Sequence, residues 1–165
     1  MESASDQALN ASSVDRSASC GRPDCACSLP IGERFVLWAL RQWQVDRALP
    51  REGSALHRGF KMAGLIEALA DFAIALDAFF FGARRRLAIH LPTCSAVSRD
   101  EAILLALCAL AQVQCDGPLA ASLDVMMAPT ASRVAADRFK TFTAALAHAG
   151  LRLAPLPGDA GGRLN

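Results

Sequence analysis

The fold is decided by residues 64–81, which read GLIEALADFAIALDAFFF. The large apolar residues of this stretch recur at steps of four, three, four and three: Leu65, Leu69, Phe72, Leu76 and Phe79. That spacing follows the 3.6-residue turn of an α-helix and places all five side chains on one face. The stretch therefore predicts a long amphipathic helix with one buried stripe.

The same step recurs near the C-terminal end of the sequence, where it predicts a helix from Thr130 or Ser132 to Gly150. Between the two stripes, Ser98 and Glu101 have the spacing of a capping box, and the following residues, up to 113, are almost all apolar. This indicates a central fourth helix that Gly117 ends. A first helix is predicted over 32–49, and shorter helices are predicted over 54–62 and 119–126. The sequence predicts a mainly α fold with a single compact domain of five or six helices.

A short alternation of apolar and polar residues covers 86–91, with Leu87, Ile89 and Leu91 on one side. A period of two is typical of a β-strand, and a lone strand needs a partner. The only other short alternating piece is 151–154. We therefore add a minor two-stranded pairing of 86–91 with 151–154 as an option beside the helices.

Domain limits follow from the loss of apolar periodicity at both ends. Residues 1–28 are rich in serine and aspartate and predict a disordered N-terminal tail. Residues 155–165 are rich in proline and glycine and predict a flexible C-terminal tail. The helical domain is then predicted to cover 29–154.

Composition excludes several classes of protein. Of the 165 residues, 33 are alanine and 22 are leucine, which favours helices over sheets. The net charge of +1 gives no general attraction to nucleic acid or anionic membranes. The N-terminus lacks the apolar segment of a secretory signal, and no apolar run is long enough to span a membrane. The excess of arginine (15) over lysine (2) is typical of a GC-rich genome, so we expect a bacterial, cytoplasmic protein.

Cysteine and histidine residues suggest one candidate metal site. Cys25 and Cys27 precede the first helix, and His90 and Cys94 flank the turn at Pro92. Zinc is held by four thiolate or imidazole ligands, and structural sites commonly join a close pair of ligands to a distant one. These four residues would form such a set, although Cys-x-Cys is less specific than Cys-x-x-Cys. A reversible thiol redox switch at the same residues is the alternative. Elsewhere Cys108 and Cys115 are predicted to be small buried apolar residues.

Catalytic chemistry has no support in the sequence. Its three histidines, His57, His90 and His148, fall in separate segments. None of the common nucleophile, phosphate-binding or dinucleotide-binding motifs occurs. His148 instead suits the C-terminal end of the last helix, where its charge would complement the helix dipole. We therefore predict no catalytic residues, no cofactor (zinc being the alternative) and no enzyme activity.

Three phenylalanines followed by three arginines form the densest local feature outside the cysteines. Three consecutive helical residues span about 200° around the axis, so at least one phenylalanine must lie at the edge of the core. An edge aromatic beside arginines is typical of a protein-binding patch. The predicted interaction residues are Phe79, Phe80, Phe81, Arg84, Arg85 and Arg86.

Three functions remain open from the sequence. The leading hypothesis is a small non-catalytic protein-interaction or regulatory module with an unknown protein partner, or a homodimer. The second is the zinc-binding or thiol-switch protein described above. The third is a DNA-binding transcriptional regulator that uses Arg84–Arg86. Nucleic acid is the less favoured partner because the segment 119–126, which a helix-turn-helix would place in the major groove, has no basic residue.

Overall fold

A computed structural model describes residues 25–46 and 53–154, and this part of the chain contains six α-helices. No helix in these residues combines the length and hydropathy that crossing a bilayer requires. The predicted fold class, a mainly α single domain, is confirmed. In chain order the helices are α1 (Ile31–Asp46), α2 (Ala55–Met62), α3 (Leu69–Gly82), α4 (Arg99–Gln112), α5 (Asp116–Met126) and α6 (Pro129–His148).

The core lies mainly between α3 and α6, which bury the two predicted stripes against each other. Phe72 and Phe142 have ring centroids 4.9 Å apart, and Phe60 of α2 packs 5.3 Å from Phe72. The two helices run antiparallel, since Asp71 near the start of α3 pairs with Arg138 in the middle of α6, while Gly82 at the end of α3 touches the first turns of α6. Aromatic packing of this kind is the largest apolar contribution to the core.

Several predicted helix ends are confirmed. Ser98 caps α4: its hydroxyl accepts from the N–H of Glu101, and the Glu101 carboxylate accepts from the N–H of Ser98. Gly150 follows the end of α6 with a φ of +79°, a left-handed conformation that glycine adopts without a Cβ clash. His148 lies in the last turn of α6, and its Nδ1 is 2.8 Å from the carbonyl oxygen of Ala144.

The predicted end of the fourth helix at Gly117 is wrong. The helix α4 ends at Gln112, and Gln114, with a φ of 56°, makes the turn into α5. Gly117 and Pro118 lie within the first turn of α5. Proline is tolerated there because the N–H groups of a first turn have no intrahelical acceptor.

The optional pairing of 86–91 with 151–154 does not form, and residues 25–46 and 53–154 contain isolated β-bridges but no strand. Segment 86–91 faces the N-terminus of α4, where Asp100 and Glu101 accept two of its N–H groups at 2.7 Å and 3.0 Å. Segment 151–154 is bound by the side-chain amide of Gln112, which accepts an N–H at 2.8 Å and donates to a carbonyl at 3.0 Å. Side chains thus satisfy backbone groups that a partner strand would otherwise bind.

The predicted boundary at residue 29 is also displaced. A 3-10 turn covers Ala26–Ser28, and Cys25 is buried and forms an antiparallel bridge with Ala96. Among the described residues, packing against the domain therefore begins at Cys25. The remainder of both predicted tails, and the last residues of the predicted first helix (47–49), lie outside the described residues.

Candidate functional site

The N-terminus of α4 holds a cluster of polar groups that we call the carboxylate hub; its members are Arg41, Arg85, Ser98, Asp100 and Glu101. Glu101 is fully buried, with 0% of its surface exposed. Its carboxylate accepts from Arg41 Nε at 2.8 Å and from Arg41 Nη2 at 2.9 Å. The hub therefore contains a bidentate, buried ion pair between α1 and α4.

Arg41 also binds the loop that precedes α4. Its guanidinium donates to the carbonyl oxygens of Cys94 and Ala96. Burial acts against the ionised form of Glu101, but hydrogen bonds from Arg41, Ser98 and the N–H of His90 outweigh it and hold the pKa of that carboxyl below its ordinary value. The hub thus fixes both the charge of Glu101 and the path of the loop.

Arg41 was not among the predicted site residues. It lies four residues after Leu37 and next to Leu40, on the apolar face of α1, and only 3% of its surface is exposed. An arginine at a core position of an amphipathic helix requires a buried acceptor, because an unpaired buried charge is costly. The position of Arg41 on the apolar face of α1 is therefore a signal in the sequence for a buried acceptor. The structure shows that this acceptor is Glu101.

The three predicted arginines have different surroundings. Arg85 pairs with Asp100, with 2.9 Å between Nη1 and Oδ2. This hydrogen bond is the main reason that the pKa of Asp100 is low, and the N–H of Ala88 adds to it. Arg84 follows α3 but caps α5, since its guanidinium lies 3.4 Å from the carbonyl oxygen of Met127.

The three phenylalanines separate as the helical geometry requires. Phe79 is buried at 1% exposure, and Phe80 is half-buried with its ring centroid 5.0 Å from that of Trp43. Phe81 is 88% exposed. The prediction that at least one of the three lies at the edge of the core is confirmed.

A cleft of about 730 Å³ opens beside these residues. Arginine side chains and apolar groups share its walls, and Gln44 adds an amide. The described residues that line it are Gln44, Phe80, Ala83, Arg84, Arg85, Arg86 and Leu87. We call Phe80, Phe81 and Arg84–Arg86 together the Phe–Arg surface.

The predicted zinc ligands are brought to one side of the molecule. Cys27 and Cys94 line a single cleft of about 230 Å³, while Cys25 is buried behind it. His90 is turned to the hub: its Nδ1 is 3.1 Å from the carbonyl oxygen of Ala96 and 3.6 Å from Glu101 Oε2. Within residues 25–46 and 53–154, no group of three or more histidine, cysteine or acidic side chains is arranged to hold a metal. Zinc binding stays a prediction.

The remaining two described cysteines differ from each other. Cys108 is buried in α4, as predicted, and burial raises the pKa of its thiol to about 12. Cys115 is exposed between α4 and α5, so its predicted burial is wrong. It lies after the helix, at the turn that Gln114 makes, rather than within the apolar face.

Comparisons with known proteins identify no relative. No protein-family model, no curated protein and no solved structure matches the chain.

Proposed function

We propose that this protein is a non-catalytic interaction module, and that the Phe–Arg surface binds an acidic segment of a partner protein. The observation that carries the proposal is the cleft in which three consecutive arginines and two apolar side chains, Phe80 and Leu87, share one opening. Phe81, which follows Phe80 on α3, leaves 88% of its surface exposed. Aromatic residues and arginine are the types most enriched in protein-binding surfaces.

The chemistry of the lining specifies the partner. Guanidinium groups bind carboxylates through paired, parallel hydrogen bonds, so aspartate and glutamate side chains are the matching groups. Phe80 and Leu87 give the same segment an apolar contact. The described residues of the lining are arginine, amide and apolar residues, which supports binding of such a segment. We assign the module a regulatory role in the cytoplasm.

A protein segment is favoured over DNA because of the charge balance around the arginines. Asp100 already neutralises Arg85 in part, and the whole chain has a net charge of only +1. A DNA-binding face gains its affinity from many phosphate contacts and is strongly basic. A short acidic segment needs only one or two of the three guanidinium groups in this cleft.

A displayed library of random peptides tests the proposal directly, with purified full-length protein as the bait. We expect the enriched peptides to combine aspartate or glutamate with an apolar residue. For the best peptide, labelled for fluorescence polarisation, we expect Phe81→Ala and Arg86→Ala each to weaken binding at least tenfold. Such losses are typical of aromatic and arginine anchors at interfaces.

Matched controls are available elsewhere on the surface. Met62 is as exposed as Phe81, at 88%, and Arg133 is an exposed arginine on α6. Met62→Ala and Arg133→Ala should change the affinity less than twofold. Enrichment of peptides without acidic residues would overturn the proposal. Salt-sensitive DNA binding that needs Arg86 would replace it with the DNA hypothesis, and a concentration-dependent dimer abolished by Phe81→Ala would replace it with self-association.

A further inference from the structure

The cleft of the Phe–Arg surface holds more positive charge than a single carboxylate of a partner neutralises. Its lining includes Arg84, Arg85 and Arg86, and all three side chains are exposed. We propose that the segment bound there is phosphorylated, so that the cleft takes the phosphate group and phosphorylation of the partner switches binding on. This inference rests on the function proposed for the Phe–Arg surface and specifies the chemistry of its partner.

Arg85 shows how one arginine of the cleft is neutralised within the protein. Its Nη1 and Nη2 donate to the two carboxylate oxygens of Asp100, with 2.9 Å between Nη1 and Oδ2. This is the bidentate arrangement in which one guanidinium group uses both oxygens of one carboxylate. A second guanidinium group in the same cleft therefore needs a further anionic group.

Arg84 and Arg86 retain their charges. The guanidinium of Arg84 contacts the backbone carbonyl oxygens of Asp124 and Met127 at 3.4 Å, and these neutral groups orient it without cancelling its charge. Within residues 25–46 and 53–154, neither Arg84 nor Arg86 forms an ion pair with a carboxylate. The cleft thus presents two positive charges that the described part of the chain does not offset.

A phosphate monoester matches these two charges. At pH 7 it carries a charge of about −1.5 to −2 and has three strong acceptor oxygens, whereas an aspartate or glutamate carries one charge on two oxygens. Its oxygens can therefore accept from two guanidinium groups at once, and the planar fork of arginine fits phosphate as well as carboxylate. The phosphate concentrates at one point the charge that two separate carboxylates would supply.

The source of the phosphate follows from the rest of the lining. Phe80 and Leu87 share the opening and offer contact to an apolar side chain near the phosphorylated residue. Nucleic acid and anionic lipid surfaces are bound through many basic residues spread over a wide face, and the net charge of this chain is only +1. A phosphorylated protein segment uses both the charged and the apolar parts of one cleft.

Four synthetic peptide libraries test the inference with the immobilised full-length protein. They share the same degenerate residues around a fixed position, which is phosphoserine, aspartate, two adjacent aspartates or serine. We expect the phosphoserine library to be retained most strongly. By fluorescence polarisation, a peptide selected from it should bind at least about fivefold more tightly than its versions with one or two aspartates, because only phosphate places two charges at one point.

The titration of phosphate gives a readout that carboxylates do not share. The second pKa of a phosphate monoester is about 6, so the dianion is largely lost between about pH 7.5 and about pH 5.5. Affinity for the phosphoserine peptide should fall about threefold or more over this range. The aspartate peptide, whose carboxyl stays ionised there, should change less than about twofold.

Variants assign the preference to the two arginines. Arg86→Gln and Arg84→Gln each remove one of the two charges, so each should reduce the preference for phosphoserine over aspartate to about twofold or less. Arg133→Gln is the control, since Arg133 is an exposed arginine on α6, and should leave the preference unchanged. Each variant is checked by circular dichroism, and the comparison of peptides on the wild-type protein decides even if a variant fails to fold.

The outcomes separate this inference from the proposed function. If the acidic peptides bind better than the serine peptide but phosphoserine adds less than fivefold, the inference is overturned and the proposed function stands. If no acidic or phosphorylated library is retained above the serine library, both are overturned. Displacement of the phosphoserine peptide by inorganic phosphate or duplex DNA, at no higher concentration than the unlabelled peptide requires, would also overturn the inference, because a protein segment would then not be the ligand.

Discussion

The α3–α6 interface and the carboxylate hub are both buried, but opposite chemistry stabilises them. In the first, the ring of Phe72 packs against Phe142 and the ring of Phe79 packs against Phe139. In the second, Arg41 and Glu101 form an ion pair at 3% and 0% exposure. The apolar interface tolerates any side chains of suitable shape, whereas the hub works only when every donor meets its acceptor.

The hub also does what the helical interface does not: it holds an irregular segment in place. The N–H groups of Ala88 and His90 donate to the two carboxylates, and the hydroxyl of Ser98 donates to the carbonyl oxygen of Ala88. The segment that leads from α3 to α4 thus depends on a few side-chain contacts at one helix end. Because this segment carries Arg85 and Arg86, the Phe–Arg surface depends on the hub.

The largest expected effect comes from breaking the hub. Glu101→Ala leaves Arg41 buried without its counterion, and we expect a loss of about 3–5 kcal/mol in the free energy of unfolding, since a broken buried pair leaves an uncompensated charge. Urea unfolding followed by circular dichroism measures this loss.

The double variant Arg41→Met, Glu101→Leu serves as the control, because replacing both charges by apolar groups leaves no unpaired ion. It should recover only part of the loss, because the N–H groups of Ser98 and His90 and the carbonyl oxygens of Cys94 and Ala96 still lose their side-chain partners. In the apolar interface, Phe72→Leu should cost less, about 1–1.5 kcal/mol, because it keeps an apolar side chain at that position. If Glu101→Ala lowers the free energy of unfolding no more than Phe72→Leu does, the hub is not more sensitive to substitution than the α3–α6 interface, and the comparison is wrong.

The two regions also differ in how far the sequence predicts them. The stripes of α3 and α6 repeat every three or four residues, so their buried faces follow from local spacing. The hub joins Arg41 to Glu101 across 60 positions. The capping box predicted where Glu101 lies along the chain but not that its carboxylate also binds α1. Only the three-dimensional arrangement shows that partner.

Partners that are distant in sequence also explain the other differences between the predictions and the structure. The alternation in 86–91 predicted a strand, which does not form: two N–H groups of this segment donate to carboxylates and not to a second strand. Among the site residues, the edge position of Phe81 followed from helical geometry. The separate hydrogen-bond partners of Arg84 and Arg85 did not follow from the sequence. Arg84 binds the end of α5, whereas Arg85 binds Asp100 at the start of α4. The shared cleft of Cys27 and Cys94 likewise depends on a long-range bridge.

A second test concerns how closely the helices of the apolar interface approach. A Cβ added at Gly82 would clash with the Cβ of Ala131 on α6 and crowd Met127. We expect Gly82→Ala to lower the free energy of unfolding by about 1–3 kcal/mol through overpacking. Gly117, in the first turn of α5, has open space around it, so Gly117→Ala is the matched control and should not be destabilising. Equal effects of the two variants in thermal unfolding would contradict this interpretation.

Acid should weaken the hub before the apolar interface. The pKa values of Asp100 and Glu101 lie below their ordinary values of 3.8 and 4.5, so the unfolded chain binds protons first as the pH falls. Their stabilisation is complete above about pH 5 and is lost as the pH falls through the folded-state pKa values, with a slope of at most about 1.4 kcal/mol per pH unit for each carboxylate. Asp100→Asn should make the slope of unfolding free energy against pH shallower between pH 5 and 3. An unchanged slope would show that protonation of Asp100 does not cause the loss of stability in acid.

The smallest expected effect concerns a carboxylate that lacks the hub's compensation. Asp77 lies half-buried on α3, and burial raises its pKa because desolvation disfavours the charged form. A raised folded-state pKa means that ionisation costs stability as the pH rises, which is the opposite sign to Asp100. We therefore expect Asp77→Asn to increase the free energy of unfolding at pH 7 by about 0.5 kcal/mol or less. The gain should vanish in acid, where Asp77 is protonated, and a gain that persists at pH 3 would rule out desolvation of the charge as its cause.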